Sequence, residues 1–167
     1  MKISILLLSV FLLSLPGVYG QTKVVYGKIL DEYLETVPFA RIQSSDSTIV
    51  TKTDLQGIFK IEIPFEETTL IISGLGYEWA NIQLTQDCKN LEIILLLSST
   101  YDFMSFGKID RQRKKRFKKL ADLHSEAYKK GLFLNIEPCY KQEFIPIKTR
   151  LDKIRKERCA LPQIQTS

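Results

Sequence analysis

Between Val24 and Leu97 the chain is a succession of short apolar or alternating runs, broken by turn residues at intervals of about ten residues. Val24-Val25-Tyr26 leads through Gly27 into Ile29-Leu30, and Phe39-Ala40-Arg41-Ile42-Gln43 alternates apolar with polar. Thr48 to Thr53 is β-branched almost throughout. Ile58-Phe59-Lys60-Ile61-Glu62-Ile63 alternates until Pro64 stops it. Thr68 to Ser73, Tyr77 to Leu84 and Leu91 to Leu97 complete the series. A strand sends successive side chains to opposite faces, so each run buries one face and needs a second sheet to cover it. No helical pattern interrupts the runs, which disfavours a parallel α/β sheet. The expectation is an all-β domain, a seven-stranded antiparallel sandwich over residues 22–98.

The punctuation between the runs has a local physical meaning. In Thr53-Asp54-Leu55-Gln56-Gly57 the Asp54 carboxylate can accept amide hydrogen bonds two residues on, and Gly57 can take a positive φ that a β-branched residue could not. Phe59 and Ile61 then share the core face. Gly74 and Gly76 permit a sharp bend before Tyr77, whose ring can pack while its hydroxyl stays in water. A calcium role for Asp54 would require a carboxylate cluster that its neighbours do not supply.

Three of these segments carry a family resemblance. Gly27-Lys28-Ile29-Leu30-Asp31 with Val37-Pro38-Phe39-Ala40-Arg41-Ile42, then Thr53 to Ile61, then Leu70-Ile71-Ile72-Ser73-Gly74-Leu75-Gly76-Tyr77 resemble the carboxypeptidase regulatory-like (transthyretin-like) domain. The resemblance covers residues 24–97 in the family's order and spacing. It implies an appendage of the kind found beside metallocarboxypeptidases rather than their catalytic part. It also implies a bacterial envelope setting.

Composition shifts at Ser98-Ser99-Thr100. Residues 21–106 carry 6 Lys/Arg against 12 Asp/Glu, whereas residues 107–167 carry 17 against 7. The net charge of +5 therefore conceals two electrostatically opposite halves. Residues 99–167 read as a basic, mostly helical extension. Asp110 to Lys130 forms one expected helix with an apolar stripe of Phe117, Leu120, Ala121, His124, Ala127 and Tyr128, closed by Gly131. A second helix is expected from Lys148 to Arg158, with Leu151 and Ile154 on one face. The stripe needs something to bury against, and the sandwich is the obvious partner.

The N-terminus has the three parts of a secretory signal peptide over residues 1–20. Lys2 gives a positive start, Ile3 to Leu15 is almost wholly apolar, and Val18-Tyr19-Gly20 offers a cleavage site. The apolar run is shorter than the roughly 20 residues of a spanning helix. No cysteine near the site suggests lipidation, and no later segment is long and apolar enough to span after cleavage. Cys88, Cys139 and Cys159 allow one disulfide in an oxidising compartment; Cys139–Cys159 is the favoured pair, since both lie in the loop-rich tail, and Cys88 with either would instead pin tail to sandwich.

Function narrows by exclusion. A single histidine cannot furnish a zinc peptidase, and His124 on a helix stripe reads as a packed residue rather than a catalytic base. Cys–His chemistry through Cys139 has no local support. No catalytic, cofactor or metal residues are assigned. Export removes nucleic acid as the partner of the basic run Arg111–Lys119. The expectation is an exported, non-catalytic binding or scaffold module, periplasmic, outer-membrane associated or secreted, with an envelope protein as partner. The alternative is a binder of anionic envelope glycan or lipid through the helix at 110–130. In either case Arg113, Lys114, Lys118 and Lys119 are the expected partner-facing residues.

Overall fold

The computed structural model describes residues 21–160 apart from 86, 87, 100 and 102, so the signal segment lies outside the described residues. Seven strands follow one another: β1 (Thr22–Asp31), β2 (Arg41–Ser44), β3 (Val50–Lys52), β4 (Ile58–Pro64), β5 (Thr69–Ser73), β6 (Ala80–Leu84) and β7 (Asn90–Leu95). Helices α1 (Phe106–Phe117) and α2 (Leu120–Lys129), strand β8 (Tyr140–Gln142) and helix α3 (Ile147–Ala160) complete the described residues.

Two sheets form. One has the order β4-β1-β7 and the other β3-β2-β5-β6-β8. Alternation does what the pattern in β4 requires: Phe59, Ile61 and Ile63 are buried, while Ile58, Lys60 and Glu62 face out. They join Val25, Ile29, Leu91, Ile93 and Leu95 against Ile42, Leu70, Ile72 and Ile82 of the second sheet.

Two expectations about the sheets are corrected. The sandwich is not wholly antiparallel, because β1 pairs with β7 in parallel, Gly27 opposite Leu91 and Ile29 opposite Ile93. Residues 91–96 are all buried, the mark of a strand covered on both faces, as parallel strands usually are. Nor do seven strands exhaust the sheets. β8 comes from the extension and pairs antiparallel with β6, Ile82 opposite Gln142 and Leu84 opposite Tyr140.

The covering of β7's outer face explains the extension. Leu30 and Ile94 point away from the sandwich core and pack with Ala127 and Phe133, flanked by Leu120 and Leu123. The buried Glu92 carboxylate accepts from the amides of Leu134 and Asn135 and from the Asn135 side chain. Lys28 Nζ donates to Leu132 O at 3.3 Å. Gly131, at φ 71°, closes α2 with paired bonds from Leu132 N to Ala127 O and from Gly131 N to Tyr128 O, a Schellman motif.

The single helix expected over 110–130 is two helices. The chain turns at Lys118-Lys119, where Lys119 N bonds back three residues to Arg116 O. The expected stripe is corrected in part as well. Phe117, Leu120, His124 and Ala127 lie inward as expected, Ala121 and Tyr128 are exposed, and Ile109, Arg113, Arg116 and Leu123 join the inward face. The spacing is still helical, but two arginines interrupt the apolar residues. The break lets α1 present those arginines to sandwich loops while α2 lies on Leu30 and Ile94.

Candidate functional site

The β5–β6 loop is where sandwich and extension meet. Gly76 adopts φ 83°, Tyr77 N bonds Gly74 O at 3.2 Å, and Ser98 N bonds Gly76 O at 2.7 Å. Glu78 N donates to Leu96 O at 2.8 Å, which ties the loop to the chain leaving β7. The loop thereby presents Glu78 to α1, while Trp79 is left 57% exposed.

Arg113, expected to face a partner, is 9% exposed and faces inward. Its guanidinium contacts Glu78 Oε2 through Nε at 3.0 Å and Nη2 at 2.9 Å. Nη1 donates to Asp110 Oδ1 at 2.9 Å and to Ile145 O at 3.0 Å. Arg116 does the same one turn on. It holds Glu32 through Nη2 at 2.7 Å and Nε at 3.1 Å, and donates to Leu97 O and Ser99 Oγ. Burial by itself pulls both arginines' pKa values down. Hydrogen bonds and charges from Glu78 and Asp110, and from Glu32, outweigh it and hold both above the ordinary range. The basic run is therefore partly a docking device: two of its cations neutralise acidic groups of the sandwich. Lys114, Lys118 and Lys119 are exposed.

The disulfide is also corrected. Cys139 bonds Cys88, with Cα atoms 5.3 Å apart, and not Cys159, whose side chain lies outside the described residues. β8 explains this pairing. Thr85 N and Oγ1 both donate to Cys139 O, at 3.0 and 2.9 Å, bringing the start of β8 beside the β6–β7 loop that carries Cys88. His124 is packed, 4.9 Å from the Phe133 ring, with Nδ1 3.3 Å from Ile136 O. Among the described residues no cluster of His, Cys, Asp or Glu could hold a metal, and no helix is long and apolar enough to cross a membrane.

A cleft of about 340 Å³ opens over this junction, lined by Tyr77, Trp79, Ser98, Ser99, Tyr101, Arg113 and Arg150 among others. Residue-by-residue reading of the sequence missed it, since its walls come from four separate segments. Arg150, on α3, places its guanidinium 4.6 Å from the centroid of the Trp79 ring. The Tyr77 phenol keeps its proton beyond the ordinary range, through burial first and then the charges of Asp31 and Glu35, so it is a neutral hydroxyl.

Two packed sheets, a docked helical extension and a cleft shared between them define a β-sandwich module with a surface recess. Residues 25–104 match the family model described as the CarboxypepD_reg-like domain, so the chain carries a carboxypeptidase regulatory-like domain, as its motifs suggest. A search of curated proteins returned no match to the chain.

Proposed function

We propose that the protein is an exported, non-catalytic binding or scaffold module of the bacterial cell envelope, with another envelope protein as partner. The observation that supports this reading is how the basic residues divide. Arg113 and Arg116 are committed to the fold, whereas Lys114, Lys118 and Lys119 remain in water beside them. Cations with no ion-pair partner among the described residues are available to an acidic surface. The lone histidine, enclosed by α2 and Phe133, is poorly placed for proton transfer to a substrate.

Affinity capture from the native host tests the reading. The parent should retain an envelope protein that Lys114→Gln/Lys118→Gln/Lys119→Gln loses; equal capture by both excludes this face. A second reading, anionic glycan or lipid on the same lysines, is favoured by the uniform sign of the face. Salt-sensitive co-sedimentation with envelope polymer in place of a captured protein would select it. Export has its own check. N-terminal sequencing of the native protein should begin at Gln21, and an intact Met1 in a cytoplasmic pool would overturn the location.

A further inference from the structure

The junction cleft has a lining suited to one class of ligand, and it shares no residue with the exposed lysine face. Its volume, about 340 Å³, lies near the lower end of the roughly 300–1,000 Å³ of small-ligand sites. Its walls are flat rings and polar tips: Tyr77, Trp79 and Tyr101, with Ser98, Ser99 and Arg150, and the Glu78 carboxylate, whose charge Arg113 offsets. Ile147 is the one aliphatic side chain in the lining, so an anchoring side chain of a protein partner finds no apolar well there.

Arg150 is the group that decides the ligand's charge. Arg113 beneath it has its donors engaged by Glu78, Asp110 and Ile145 O. Arg150 is instead stacked on Trp79, and among the described residues no carboxylate pairs with it. A guanidinium held by a ring face keeps its N–H fork directed along its own plane, the geometry that takes a carboxylate through two parallel bonds. The exposed part of the indole offers a flat apolar surface to C–H groups, and the Ser98, Ser99 and Tyr77 hydroxyls can exchange hydrogen bonds with ligand hydroxyls.

We infer that this cleft binds an acidic saccharide, a pyranose carrying a carboxylate, with the sugar against Trp79 and the carboxylate on Arg150. Trp79 is the only tryptophan of the chain, so intrinsic fluorescence reports directly on the cleft. Titrating the full mature chain with tetragalacturonate should give a saturable emission change. The neutral cellotetraose should bind at least tenfold more weakly. Arg150→Gln should lose at least tenfold for the acidic tetramer and nothing for the neutral one. Trp79→Ala, followed by calorimetry, should abolish both. No saturable signal and no heat with the acidic tetramer overturns the inference, as does equal affinity for the neutral one. An acidic peptide that competes as well as the sugar overturns it in favour of a protein ligand. If Arg150→Gln lowers the melting temperature, the comparison of acidic with neutral tetramer on the parent decides alone. Capture by the lysine face is measured separately with the triple Gln variant, so either idea can fail without the other.

Discussion

Asp54 heads the β3–β4 turn, where its Oδ1 accepts from the amides of Gln56 and Ile58 at 2.9 and 2.8 Å. Gly57 then adopts φ 74°, and a Cβ there would meet Ile29 O at 2.5 Å. Strain and collision act together. Gly57→Val should therefore cost about 3 kcal/mol in chemical denaturation, and an unchanged midpoint would show that the turn tolerates a side chain. Thr53 works one residue earlier: its Oγ1 donates to Val37 O at 2.7 Å and accepts from Ala40 N at 2.8 Å. That pair of bonds secures a loop in which Phe39 takes φ 56°, and β2 consequently starts at Arg41 rather than Phe39. Neighbouring residues of the basic run should behave oppositely on substitution. Arg113→Ala leaves Asp110 without its cation and Glu78 with only Arg116, at 3.7 Å, and should cost about 3 kcal/mol. Lys114→Gln/Lys118→Gln/Lys119→Gln should stay within about 0.5 kcal/mol of the parent. Equal melting temperatures for the two variants would mean that the buried pair contributes nothing.

Helical periodicity is correct in α1 and α2, but the face it selects depends on how arginine is treated. Counting only apolar residues adds Ala121 and Tyr128, which are exposed, and omits Arg113 and Arg116, which turn inward because carboxylates wait on the sandwich to receive them. Strand β8 poses the same difficulty more sharply. Three residues, Tyr140–Gln142, have no pattern of their own and become a strand because the edge of β6 is open beside them. The Cys88–Cys139 bond, spanning 51 residues, holds that edge closed. Peptide mapping without reductant should recover Cys88 linked to Cys139. Cys139→Ser should cost about 4 kcal/mol by loop-closure entropy and speed hydrogen exchange at Gln83 and Thr85, whose amides lie on the β8 side of β6. Protection of those amides unchanged by the substitution would show that β8 stays paired without the covalent link.

Taken whole, the molecule is a sandwich with a third layer. The acidic half supplies Glu32, Glu78 and Glu92, and the basic half answers with Arg116, Arg113 and the amides of Leu134 and Asn135. Residues 25–104 match the family domain, yet that segment alone leaves Leu30 and Ile94 of the first sheet without the cover of Ala127 and Phe133. A chain ending at Met104 should therefore bind a hydrophobic dye that the full chain does not, and melt well below it. A truncated chain as stable and as dye-silent as the parent would make the extension an ornament on a self-sufficient domain.

The seven runs, their turns and the inward set Phe59, Ile61 and Ile63 are written in the sequence, because period-two alternation and a positive-φ glycine are local properties of the chain. The helical character of the extension and its C-terminal glycine are legible for the same reason. Tertiary structure alone decided that β1 and β7 run parallel, that Arg113 faces in, that Cys139 meets Cys88, and that Trp79 and Arg150 share a cleft. Each of these depends on groups distant in sequence reaching one place, and burial pairs them through charge, hydrogen bonding and shape, none of which leaves a periodic trace along the chain.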